Sequence, residues 1–190
     1  MTIQVIGVNG LSDLQAALYF DSAKTYLSQS NLAAFLISQL EAIPEVLTIK
    51  VEVSPNNSCN DNWASSQGTA GTITWNIASR LQVTENPVSR PTAYPFSHML
   101  STLRPQRRDE LSPALILMHE MGHACQAMSG ANQDEMLNEN RNQDGTLNIL
   151  AIENINVQAI ENTVAMELSE AGCREGIRWD YLDAKALQSR

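Results

Sequence analysis

Between Pro113 and Met128 the chain reads Pro-Ala-Leu-Ile-Leu-Met-His-Glu-Met-Gly-His-Ala-Cys-Gln-Ala-Met, with Glu120 its only carboxylate. Ser112 stands where an N-cap belongs and Pro113 at the first helical position, so a helix is expected to open here and to stop at Gly130. Leu115, Ile116, Leu117 and Met118 cover most of the helix circumference, which predicts burial nearly all round. Yet the same helix carries two histidines and a glutamate. Buried groups of that kind need partners, so the rest of the fold must close around this helix and supply them.

The spacing says which partner fits. His119 and His123 stand at i and i+4, which puts both imidazoles on one face, where they can take a single Zn²⁺. Glu120 projects beside them and can accept a proton from the water and pass it to a leaving amine. Scattering 3 His and 13 Glu at random over 190 positions would give this pattern roughly 0.002 times, which favours the motif over accident. A pair of buried core histidines is the competing reading, but a buried glutamate flanked by two histidines needs partners, which a metal supplies.

A catalytic zinc keeps three protein ligands and one open position. The third histidine, His98, lies in a proline-rich stretch, so a carboxylate on the next helix is the expected third ligand. That helix is predicted from about Leu147 to Ala171. Glu153, Glu161 and Glu167 are the candidates. At 100° per residue, Ile149, Leu150, Val157, Ile160, Val164 and Leu168 share an arc about 100° wide. Glu153 falls in the middle of that arc, Glu161 about 20° beyond one edge, and Glu167 on the opposite edge. A carboxylate centred on a buried face calls for a metal or an ion pair. Glu153 is therefore the expected ligand and Glu161 its rival. Glu161 could instead accept a hydrogen bond that orients a ligand histidine.

Elsewhere the chain reads as one α+β domain spanning 1–190, with a helical part over 1–45 and a sheet plus the two site helices over 46–190. Two helices are expected from Ser12 to Ile43, broken near Ser28-Gln29-Ser30, the second capped by Asn31 with a stripe of Leu32, Phe35, Leu36 and Leu40. Val46–Ser54 alternates as a half-buried strand, its Leu47, Ile49, Val51 and Val53 facing one way and Thr48, Lys50 and Glu52 the other. Thr72–Asn76 alternates again and is expected as its antiparallel partner. Residues 55–71 and 84–112 read as loops, the second long enough to wall or cover a substrate cleft. A shorter element is expected around Ile177–Leu187.

Composition excludes some functions. A net charge of −9 argues against nucleic acid as the main partner, because phosphate binding needs a basic patch. Of the 21 acids, 12 lie in residues 119–190 against 5 basic residues, so the excess falls on the segment holding the proposed ligands. No apolar run is long enough to span a bilayer, so no membrane partner is expected. The start of the chain shows no basic region followed by an apolar one. A cytoplasmic enzyme, or an effector exported without a classical signal peptide, fits that reading. Cys59, Cys125 and Cys173 form no CxxC pair. Cys125 and Cys173 are expected as buried small hydrophobes in a reducing compartment.

The run Pro113–Gly130, the pair Glu161-Asn162 with an acid eight positions before it, Arg178-x-x-Tyr181, and Gly71–Asn76 together resemble the effector-type zinc metallopeptidases of bacteria. That group contains type III secreted proteases that cleave host kinases. The resemblance covers about the last two-thirds of the chain. It implies a zincin-like fold, a Zn²⁺ cofactor and a protein or peptide substrate. It also implies His119, His123 and Glu153 as ligands, Glu120 as the base, and Arg178 and Tyr181 as the downstream pair. The family often has an arginine where this chain has Ala165, and Gly172–Gly176 is longer here. Tyr181 has two readings, a donor to the developing oxyanion or an ordinary core tyrosine. Arg178 likewise either pairs with a buried carboxylate or forms a surface ion pair. The expected function is a zinc metalloendopeptidase. A zinc hydrolase of a non-peptide amide and a zinc-stabilised interaction module are the alternatives.

Overall fold

The structure, a computed structural model, describes residues 3–54, 60–62, 69–83, 110–128, 144, 148–173, 175–178 and 184–186. The chain is α+β. Strand β1 (Ile3–Gly7) leads into helices α1 (Asp13–Leu27) and α2 (Asn31–Ala42), then β2 (Val46–Glu52), β3 (Asn60–Asn62), β4 (Thr69–Asn76), β5 (Leu81–Val83) and β6 (Glu110–Leu111). Helix α3 (Pro113–Met128) follows, then α4 (Ile149–Asn156), a π-helical turn (Val157–Glu161), α5 (Asn162–Glu170) and β7 (Ala184–Ala186). No helix among the described residues is long and apolar enough to cross a membrane.

The main sheet has the order β1-β2-β4-β3. β1 and β4 both pair with β2 in parallel, Val5 opposite Ile49 and Ile49 opposite Ile73. The expected antiparallel pairing of Val46–Ser54 with Thr72–Asn76 is therefore corrected to a parallel one. Alternation of apolar side chains reports which face a residue takes, and it carries no information about strand direction. The chain between Glu52 and Thr69 is long enough for the crossover that a parallel pair needs. Within it β3 forms and pairs antiparallel with β4 from the far side. A second, antiparallel sheet has the order β6-β5-β7.

Leu47, Ile49, Val51 and Ile73 are wholly buried, in one core with the buried faces of α1, α2 and α3. Val53, expected on the same face, is 51% exposed beyond the end of β2. Glu52, expected on the polar face, is buried and accepts a hydrogen bond from Asn9 Nδ2 at 2.6 Å.

Helix α1 opens on a capping box between Ser12 and Gln15. The cap of α2 is Ser30, whose Oγ accepts from Ala33 N at 3.0 Å, and not Asn31. The buried stripe is Ala33, Ile37 and Leu40, with Leu32 and Leu36 partly buried beside it, and Phe35 of the expected stripe is 58% exposed. Ser30 Oγ also donates to Glu167 Oε2 at 2.5 Å, so a carboxylate on α5 fixes the start of α2.

The start of α3 is held more firmly still. Ser112 Oγ accepts from Leu115 N at 3.1 Å, as its place in the sequence predicts. Trp75 Nε1 on β4 donates to Pro113 O at 2.8 Å, and Ser112 N donates to the buried Glu175 Oε2 at 2.9 Å. Tyr26 hydroxyl donates to the other oxygen of Glu175. Burial, together with Glu175, raises the Tyr26 phenol above its ordinary range. Cys125 and Cys173 are half-buried rather than fully enclosed, and burial pushes the Cys125 thiol up to about 12.

Candidate metal centre

Helix α3 is enclosed as its sequence demands. Leu115, Leu117, Met118, Met121 and Ala124 are wholly buried, and His119 and His123 nearly so. Their rings meet edge to face with centroids 4.9 Å apart. Glu120, between them in sequence, is half-buried.

Helix α4 supplies the carboxylate. Glu153 Oε2 lies 3.0 Å from His119 Nε2 and 3.0 Å from His123 Nε2. Two imidazole nitrogens on one helix thus converge on one oxygen from another, and these three residues form a cluster able to hold a metal ion. Two donors bound tetrahedrally to one zinc stand about 3.4 Å apart; the two separations to Glu153 Oε2 are 3.0 Å, and all three donor atoms lie within 4.8 Å of one another, a spacing one ion can draw together. Imidazole and carboxylate are also the ligand types zinc accepts.

Glu161 takes the other side of His119. Its Oε2 faces His119 Nδ1 at 2.9 Å, and Arg178 grips the same carboxylate, Nε to Oε1 at 2.7 Å and Nη2 to Oε2 at 2.6 Å. Of the two readings of Arg178, the buried pair is the one found; the residue is 3% exposed. Glu161 is wholly buried, although an uninterrupted α-helix would leave it beyond the apolar arc. The π-helical turn accounts for the difference. Asn162 N–H bonds to Val157 O, five residues back, so an extra residue enters the turn and rotates Glu161 inward. Leu150, placed on the buried arc by the same straight-helix reckoning, is 43% exposed. Glu167 points away from the centre, to Ser30.

The electrostatics follow from this packing. Burial disfavours a charged His119, but its bonds to Glu153 and Glu161 and the charges of Glu161 and Glu120 outweigh that and hold it at about 9. Burial would raise Glu153, yet His119 and His123 bring it down to about 2. Glu161, likewise opposed by burial, is held below the usual carboxylate range by His119 and Arg178.

Two contributors escaped the sequence reading. Asn156 is wholly buried and its Nδ2 donates to His119 O at 2.8 Å. Its spacing, three residues after Glu153, was the available signal. Glu175, which anchors the start of α3, sits in a short aperiodic stretch that gave none. Tyr181, His98, Trp63, Trp179 and the loop 84–109 lie outside the described residues. Comparison of the chain with protein-family models, with curated proteins and with solved structures found no match.

Proposed function

We propose that this chain is a zinc metalloendopeptidase with a zincin-like fold, its Zn²⁺ held by His119, His123 and Glu153. The observation that carries the reading is the single Glu153 oxygen 3.0 Å from both Nε2 atoms of an H-E-x-x-H helix. Zinc, when bound, supplies Lewis acidity and brings the pKa of water to near neutrality.

The protein's part is positional. His119, His123 and Glu153 present their donors from two packed helices, which fixes the site before substrate arrives. Glu120, beside His119 on the half-buried edge of α3, takes the proton of the attacking water and delivers it to the leaving amine. Tyr181 is assigned to the developing oxyanion. A protein or peptide is the proposed substrate, met in the cytoplasm or after export as an effector.

A peptide-library digest with zinc-loaded wild type and Glu120→Gln tests this. Wild type is expected to cleave, and Glu120→Gln to bind zinc normally and lose roughly 10²- to 10⁴-fold in rate. Equal cleavage by the variant contradicts the role of Glu120. Zinc binding with no cleavage of any peptide favours the non-peptide amide hydrolase or the interaction module.

A further inference from the structure

We infer that Glu161 and Arg178 are a positioning pair for His119, fixing its tautomer and ring angle so that Nε2 is the nitrogen offered to the metal. The inference rests on the metal-centre reading proposed above and goes beyond its ligand set.

The carboxylate of Glu161 has no freedom left. The guanidinium of Arg178 takes it in a two-pronged grip, at 2.7 Å and 2.6 Å, which sets its plane. One of those oxygens also lies 2.9 Å from His119 Nδ1. Arg178 Nη2 also stands near Nδ1, at a longer 3.4 Å. An ionised carboxylate only accepts, so the shorter 2.9 Å contact puts a hydrogen on Nδ1, and a metal that displaces the proton shared with Glu153 meets the lone pair of Nε2. Nε2 is the atom that faces Glu153, 3.0 Å away.

Arg178 is itself held at two points from neighbouring residues. Glu161 binds its side chain, and Asn162 Nδ2 donates to its backbone carbonyl at 2.6 Å. The segment around Arg178 is tied down again where Gly176 N donates to Glu110 O at 2.9 Å. Asn156 fixes the main chain of His119 while Glu161 fixes its ring. Asn156 of α4, Glu161 of the π turn and Arg178 of the tail thus meet His119 directly, and Asn162 of α5 holds Arg178 in place. A pair whose purpose was only to tether the tail would not need an oxygen in line with Nδ1.

Zinc affinity measured by chelator competition, with ¹⁵N NMR of the histidine rings in the zinc-loaded protein, tests this on wild type, Glu161→Ala, Glu161→Gln and Arg178→Lys. In wild type, His119 is expected to carry hydrogen on Nδ1 and zinc on Nε2. Glu161→Ala is expected to weaken zinc binding roughly 10- to 100-fold. Glu161→Gln, whose amide oxygen can still accept, should recover part of that loss. Arg178→Lys keeps the charge without the fork and should fall between wild type and Glu161→Ala. Wild-type affinity in Glu161→Ala, or zinc on Nδ1 of His119 in wild type, overturns the pairing while leaving the metal centre intact. The wild-type spectrum decides even if a variant fails to fold. Absence of zinc binding by wild type removes the metal centre and this inference together.

Discussion

Gly122 and Asn156 approach so closely that a Cβ on Gly122 would stand 2.4 Å from Asn156 Oδ1. It would also lie 2.9 Å from Ile160 Cδ1. This contact sets how near α4 comes to α3, and so whether Glu153 reaches both histidines. Gly122→Ala tests it. Helix propensity favours alanine by up to about 1 kcal/mol, while overpacking a close-fitted site costs about 1–3 kcal/mol. The variant should be less stable in denaturant and bind zinc more weakly. Removing the obstructing amide in Gly122→Ala/Asn156→Ala should recover part of the packing loss. A Gly122→Ala protein as stable as wild type, with equal zinc affinity, would contradict this account.

How much of this was legible follows from what each signal encodes. The buried helix, its cap at Ser112 and the shared face of His119 and His123 depend on local spacing, which a sequence displays directly. Glu153 was legible too, because a carboxylate centred on an apolar arc is costly anywhere and calls for a partner. The inward turn of Glu161 was not, since it depends on a π-helical turn that uniform helical geometry cannot anticipate. Strand β1 was missed altogether. Ile3–Gly7 is too short to show a convincing period, and its partner, β2, lies across two intervening helices. The parallel β2–β4 pairing was hidden for the reason already given: pattern reports face, not direction.

The ionisable pair at the centre gives the metal-free protein a pH window. Glu153 has its folded value lowered to about 2, so its contribution is present above the ordinary carboxylate value and fades as pH falls towards 2. His119 has its folded value raised to about 9, so its contribution is full below the ordinary histidine value and is lost as pH rises through about 9. Urea unfolding with chelator present should therefore show this contribution greatest between the ordinary carboxylate and histidine values. Zinc must displace the proton that His119 holds at neutral pH. Calorimetry in buffers of different ionisation enthalpy should then register proton release, and the share that comes from His119 should fall away above about pH 9, leaving only that of the zinc-bound water. Zinc binding at pH 7 without proton release would contradict the protonation state assigned to His119.

The start of α2 offers a sharp test between neighbours. Ser30 accepts from Ala33 N and donates to Glu167, whereas Asn31 is the first residue of the helix. Ser30→Ala should cost about 0.5–2 kcal/mol of stability. Asn31→Ala should stay within about 0.5 kcal/mol of wild type. The reverse order in denaturant midpoints would show the cap to be Asn31 after all.

The Arg178–Glu161 pair is buried on both sides, so removing one partner leaves the other charged and enclosed. Arg178→Met should cost about 3–5 kcal/mol in the metal-free protein. Glu161→Leu/Arg178→Met, which removes both charges, should be more stable than the sum of the single losses implies. Additive losses in a double-mutant cycle would mean that the two side chains do not act on each other.

The central claim is that one zinc ion sits among His119, His123 and Glu153, and anomalous diffraction at the zinc edge from crystals of the zinc-loaded protein tests it most directly. The account predicts one strong peak bonded to Nε2 of His119, Nε2 of His123 and a carboxylate oxygen of Glu153, at about 2.0–2.2 Å from each. Glu161 should remain on His119 Nδ1. A peak elsewhere, a zinc ligated by Glu161 in place of Glu153, or no peak from protein saturated with zinc would contradict it.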